Sequence, residues 1–137
     1  MGITTEVEYP YQAKNLGSCS VNGGSFKIDS YVISTKGDCQ ALRDLVFNNG
    51  PASVAVAADR NFQSYSSGVL RKCGTQLNHA VLLTGFDTEK WHVKNSWGTG
   101  WGQQGYIYLK AGASTCGICN DGGHRATALW LSISSII

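Results

Sequence analysis

Between Trp91 and Tyr106 the chain reads Trp-His-Val-Lys-Asn-Ser-Trp-Gly-Thr-Gly-Trp-Gly-Gln-Gln-Gly-Tyr, and so much glycine among indoles leaves few folds open. Glycine lets a backbone turn tightly and lets large rings pack against it. The stretch therefore reads as tight turns joining two short strands, Trp91–Lys94 and Gly105–Lys110. The same signature extends along the chain, which has 17 Gly against 2 Pro. Further strands are expected at Ser25–Val32, which alternates apolar and polar residues, at Ser53–Ala57 and at His79–Phe86. One helix is expected from Asp38, its N-cap, to Asn49-Gly50-Pro51, with Ala41, Leu42, Leu45 and Val46 on one face. Asn61–Tyr65 reads as a short helical turn. The tail Ala128–Ile137 reads as a strand or as read-through past a natural end. The pattern indicates an α+β fold: an antiparallel, β-rich domain with one flanking helix.

At 137 residues the chain is expected to form one domain. An apolar share of 42% with 15% charged residues is that of a soluble globular protein. A net charge of +2 gives no reason to expect nucleic acid or a membrane surface as partner. No apolar run approaches the ~20 residues of a membrane span. Five Cys point to an oxidising compartment, and the odd count leaves at least one without an intrachain partner. Met1-Gly-Ile-Thr-Thr-Glu does not resemble a signal peptide. The conflict is resolved if the sequence is a mature or truncated piece of a longer precursor.

Two segments carry chemistry. In Gln76-Leu-Asn-His79-Ala-Val, a His heads an apolar strand, a rigid place for a general base. A lone His of this kind also reads as a structural residue. In the second, Asn95 lies between Trp91 and Trp97. A side-chain amide can accept an imidazole N–H and fix the ring's tautomer. Trp97 would cover that bond and exclude water. A turn lined by aromatic core residues is the plainer reading of this segment.

Together these segments resemble the His and Asn motifs of the papain-like cysteine proteases, in particular the cathepsin L-like group. The family pattern Lys-Asn-Ser-Trp-Gly-x-x-Trp-Gly-x-x-Gly-Tyr is matched from Lys94 to Tyr106. Gly2-Ile-Thr-Thr-Glu, Tyr9-Pro-Tyr11, Gly50-Pro-x-Ser-Val-Ala55, Phe62-Gln-x-Tyr-Ser-Ser-Gly68 and Cys116-Gly-Ile118 follow the family order, so the likeness covers roughly residues 2–121.

The resemblance implies a papain-like fold, with the whole of 1–137 as its right, β-barrel-like lobe. The left lobe, with the nucleophilic Cys in a Gln…Cys-Gly-Ser-Cys-Trp context, is expected to be absent from this chain. It implies a cysteine-type endopeptidase in which His79 takes the thiol proton and Asn95 orients His79. Substrate-binding roles are implied for Ala55, Leu77, Asn78, Ala80 and Trp97. Asp121, five residues after Cys116, would form the floor of the pocket for the second residue before the scissile bond and would admit Arg or Lys beside bulky apolar side chains. Solvent exposure of Asp121 is the alternative. A disulfide Cys73–Cys116 is implied, and Cys19 would pair with a left-lobe Cys. Cys39 and Cys119 either pair with each other or stay free. Expected partners are a peptide or protein substrate, the missing lobe or light chain, and cystatin-like inhibitors. The compartment would be lysosomal or secreted, and no cofactor is called for.

Two rivals remain. Cys116-x2-Cys119-x4-His124 has three ligands of a zinc-knuckle spacing, with Leu129 at the fourth position, so no metal is expected. The other is functional: without a nucleophile the chain is an inert fragment or pseudo-protease, at most a module that binds peptides or inhibitors.

Overall fold

The computed structural model describes residues 2–14, 17–18, 20–24 and 26–128, in two compact units. The larger is Val32–Arg125; the smaller comprises the described residues up to Tyr31 and those from Ala126 onward. Along the chain come β1 (Ile28–Ile33), α1 (Cys39–Asn49), β2 (Ala52–Val56), α2 (Arg60–Gln63), β3 (His79–Phe86), β4 (Lys90–Lys94), β5 (Tyr106–Lys110), a 3₁₀ turn at Thr115–Gly117, and β6 (Gly123–Ala128). The strands form one sheet in the order β1-β6-β2-β3-β4-β5. β2, β3, β4 and β5 pair antiparallel with their neighbours, and β6 joins β2 antiparallel.

Why α1 forms and where it stops can be read locally. The Asp38 carboxylate accepts the N–H groups of Gln40 and Ala41, which would otherwise be unpaired in the first turn. At the other end Gly50 adopts φ 86° and returns its N–H to Val46 O. Leu42, Leu45 and Val46 are buried. They meet the inward residues of the strands, Val54, Val56, Val81, Leu83, Trp91, Val93, Ile107 and Leu109, to make the core. β2, β4 and β5 bury every second residue, as a sheet covered on one face requires. β3 and β4 change register between Leu83 and Gly85. Thr84 stands in that irregularity and donates its hydroxyl to His92 O.

The structure departs from the sequence pattern in two places, and it also disposes of the rival zinc reading. β1 forms, but all six of its residues are exposed. It is the edge strand of the sheet. β6 lies at Gly123–Ala128, where no strand is expected before Ala128. Gly123 is the reason it fits, because a Cβ there would lie 2.4 Å from Leu42 Cδ1 and 3.0 Å from Leu45 Cδ2. The helix rides directly on the bare backbone. The zinc reading fails because Cys116 and Cys119 are both in disulfides, Cys73–Cys116 and Cys39–Cys119. Cys19, and the part of the tail strand at 129–137, lie outside the described residues.

The disulfide spans are 80 and 43 residues, the shorter nested in the longer. In the chain-entropy description each closure alone would be worth roughly 4 kcal/mol. In the smaller unit Ile3 and Phe26 exchange both backbone hydrogen bonds. Glu8 accepts the N–H and hydroxyl of Thr5, which hold its carboxyl below the usual range.

Leu83 is fully buried in the middle of the core. Leu83→Ala should lower the unfolding free energy of the folded protein by about 2–5 kcal/mol, read by urea denaturation. A second expectation concerns acid. In the β3–β4 turn, Asp87 accepts the backbone N–H of Glu89, a hydrogen bond from His92 and the N–H of Lys90, which with the Lys90 charge push its pKa down to about 2. A depressed carboxylate pKa stabilises the fold above the unfolded value near 3.8, and that contribution disappears as pH falls toward 2. Acid titration of Asp87→Asn should therefore show a shallower loss of stability between pH 4 and pH 2 than the parent.

Candidate active site

His79 opens β3, and Asn95 follows the last residue of β4. Because the strands are antiparallel, the start of one lies beside the end of the other. The register Leu82↔Lys94, continued past Lys94, runs Asn95–Trp97 alongside Val81–His79. Two distant segments are thus brought together by strand pairing alone.

The Nε2 of His79 lies 2.8 Å from Asn95 Oδ1. Which atom donates follows from a neighbour. The backbone N–H of Ser96 also points at Asn95 Oδ1, at 2.8 Å. A backbone N–H can only donate, so the atom between them is the amide oxygen; the opposite orientation would set NH₂ against N–H. Asn95 Oδ1 therefore accepts from both, and His79 must carry its proton on Nε2. The neutral ring then presents an unprotonated Nδ1, the lone pair a general base requires. Asn95 is 8% exposed, and its Nδ2 is buried with no partner among the described residues.

Aromatic rings hold this pair in place. Trp97 stacks on the His79 imidazole, with centroids 4.9 Å apart and planes at 26°. Phe62, wholly buried, sets its edge against both His79 and Trp97 and stacks on Trp101. Trp101 meets Trp97 edge to face and donates its indole N–H to Gln63 O. Phe62 is itself fixed by Asp59, which caps α2 through the Phe62 N–H and also accepts the Gly74 N–H. These hydrogen bonds hold the Asp59 carboxyl below its usual range. No role was assigned to Phe62 or Asp59 from sequence. The available signal was a large aromatic residue two positions into a four-residue turn with an Asp before it.

The loop after Asn95 returns on itself. Gly105 O accepts the Asn95 N–H, and the Gly105 N–H reaches Trp101 O. Gly102 sits at φ 58°, where a Cβ would lie 2.5 Å from Tyr106 O, so both conformation and space call for glycine.

The other candidate residues are distributed as follows. Ala55 and Ala80 are direct cross-strand partners on the outward face. Leu77 packs beside Gly117. Asn78 turns its amide oxygen to the Ala58 N–H at 2.8 Å and so braces the chain just before His79. Trp97 leaves 40% of its surface exposed. Asp121 binds Lys36 at 2.7 Å and faces His124 at 3.6 Å. Its carboxyl is held below the usual range, chiefly by Lys36. A shallow depression of about 290 Å³ beside Asn95 is lined by Ser53, Ala80, Leu82, Lys94 and Ser96, and of the pocket candidates it includes Ala80 alone. All four described Cys of the chain are in disulfides.

Residues 1–124 match the family model described as papain family cysteine protease. A viral cathepsin of Choristoneura fumiferana defective polyhedrosis virus is 40% identical over 130 residues, covering 88% of this chain and 39% of that protein. Vignain of Ricinus communis is 41% identical over 137 residues, covering 90% of this chain and 38% of that protein. Among solved structures, the bromelain protease of Ananas comosus in complex with the E64 inhibitor superposes with a TM-score of 0.80 at 37% identity, covering 92% of this chain and 63% of that one. The chain thus spans about two fifths of the length of these curated relatives.

If Asn95 Oδ1 is the acceptor for His79 Nε2–H, proton NMR should show a slowly exchanging imidazole N–H. Asn95→Ala should abolish that resonance while leaving the far-UV circular dichroism intact. A resonance that survives would mean another acceptor.

Proposed function

Because this chain belongs to the papain family of cysteine proteases, we propose that it supplies the proton-handling half of a thiol endopeptidase site: His79 as base and acid, Asn95 as the residue that orients it. The observation that carries the reading is the Asn95 oxygen shared by His79 Nε2–H and Ser96 N–H, which frees Nδ1 for the reacting side.

The chemistry then follows from the geometry. A cysteine thiol brought to Nδ1 gives up its proton to His79, leaving a thiolate beside an imidazolium. The thiolate attacks the scissile carbonyl carbon, and the proton on Nδ1 passes to the leaving amine as the peptide bond breaks. A water molecule next gives a proton to Nδ1 and attacks the thioester. The acid product leaves and the thiol system is restored. Throughout, the Nε2–H stays on Asn95, and Trp97 keeps solvent from that bond.

The described residues contain base and orienting amide but no free thiol. The nucleophile belongs to a further part of the enzyme, a left lobe or a light chain, and the chain by itself is expected to be inert. Asp121, Ala55, Ala80, Leu77 and Asn78 would border the pocket for the second residue before the scissile bond. Peptides or proteins are the substrates, and cystatin-like proteins the natural inhibitors. The two disulfides support an oxidising compartment, lysosomal or secreted.

In the active protease that contains this chain, His79→Ala should lower kcat/KM for a peptide substrate about a thousandfold or more. E64, which is bound to the bromelain relative, should label the thiol-bearing assembly and leave the chain alone unlabelled. Near-normal hydrolysis by His79→Ala would defeat the peptidase reading. Failure of any thiol-bearing portion to generate activity would leave a module that only binds peptides or inhibitors.

A further inference from the structure

Lys36 lies in the loop between β1 and α1, with its ammonium 2.7 Å from Asp121 Oδ1; His124 Nε2 lies 3.6 Å from Asp121 Oδ2. Both carboxylate oxygens therefore face a nitrogen. An exposed ion pair usually contributes little, because two mobile side chains must be held in one geometry. Here the backbones are already tied together on either side of the pair. Ser34 N–H binds Gly123 O at 3.0 Å, and Gly123 N–H binds Ser34 Oγ at 2.8 Å. Gly37 N–H binds Cys119 O at 2.7 Å, and Cys39 is bonded to Cys119. These tethers flank Lys36 along one strand of chain and Asp121 along the other, so the pair forms between preset partners.

The same tethers fix where the carboxylate sits. Val54↔Gly123 and Ser53↔His124 set β6 against β2. β6 begins at Gly123, so the chain entering it, Asp121-Gly122, comes from the end of the sheet at which Ala55 and Val56 meet Ala80 and His79 on β3. Asp121 is thereby carried toward the end of the sheet at which the base stands.

We propose that Lys36 is a specificity-determining residue: it occupies the Asp121 carboxylate, so that the subsite bordered by Ala55, Ala80 and Asp121 accepts bulky apolar side chains and disfavours Arg and Lys. This rests on the peptidase reading and makes the basic tolerance expected from Asp121 conditional on removing Lys36.

The test uses the active protease containing this chain and two peptides that differ only in Leu or Arg at the second residue before the scissile bond. The readout is the Arg/Leu ratio of kcat/KM. Lys36→Met should raise the ratio about two- to fivefold, the scale of one freed surface charge partner. Lys36→Arg, which keeps the pair, should leave it unchanged, and adding Asp121→Asn to Lys36→Met should cancel the gain. An unchanged ratio in Lys36→Met, or a gain that persists without the Asp121 carboxylate, overturns the role of Lys36. His79→Ala separates the two readings. If it is inactive and the ratio does not move, only Lys36 fails; if it still hydrolyses both peptides, the peptidase reading fails.

Discussion

The amide oxygen of Asn95 receives two N–H groups, one from the next peptide unit and one from an imidazole. Its consequences reach through the larger unit. The backbone donor identifies the oxygen, the oxygen sets the histidine tautomer, and the tautomer decides which ring nitrogen can move a proton. Each step needs the previous one held still. The β3–β4 register does this for the two residues, and the Phe62–Trp97–Trp101 cluster does it for the rings. A flexible amide or an untethered imidazole would offer the same groups without the order.

The His and Asn segments could be found in the sequence because their composition is unusual and each is carried by a short strand with strong patterning. β3 was delimited residue for residue as His79–Phe86, and β4 and β5 within one residue at each end. Helix α1 was legible for a local reason too, with Asp38 and Gly50 marking its limits. What escaped had no local sign. Alternation in Ser25–Val32 promises a buried face, yet the strand that forms, Ile28–Ile33, is the sheet's edge and is exposed throughout. Gly123 enters a strand because α1 packs directly on it, where Leu42 and Leu45 leave no room for a side chain. Phe62 belongs to a motif in the chain, but its contact with His79 is a matter of three-dimensional packing between elements far apart in sequence.

Asp121 shows how a residue's type and its availability are separate questions. Counting from Cys116 draws attention to a carboxylate, while the fold pairs that carboxylate with Lys36, 85 positions away. The family model matches residues 1–124, which include the proposed base, its amide partner and both members of the ion pair.

Both disulfides end in the same short stretch, at Cys116 and Cys119, with partners at Cys73 and Cys39. During oxidation in the cell, exchanging those partners requires a slip of only three residues. The chain therefore has a mispaired isomer lying very close to the native one in connectivity. Gly117, between them, has φ 70° and fits tightly beside Leu77 and Thr75 O, so the slip would drive this loop into the segment that leads to His79. A chain oxidised with those partners exchanged would have the native mass and a displaced loop beside His79.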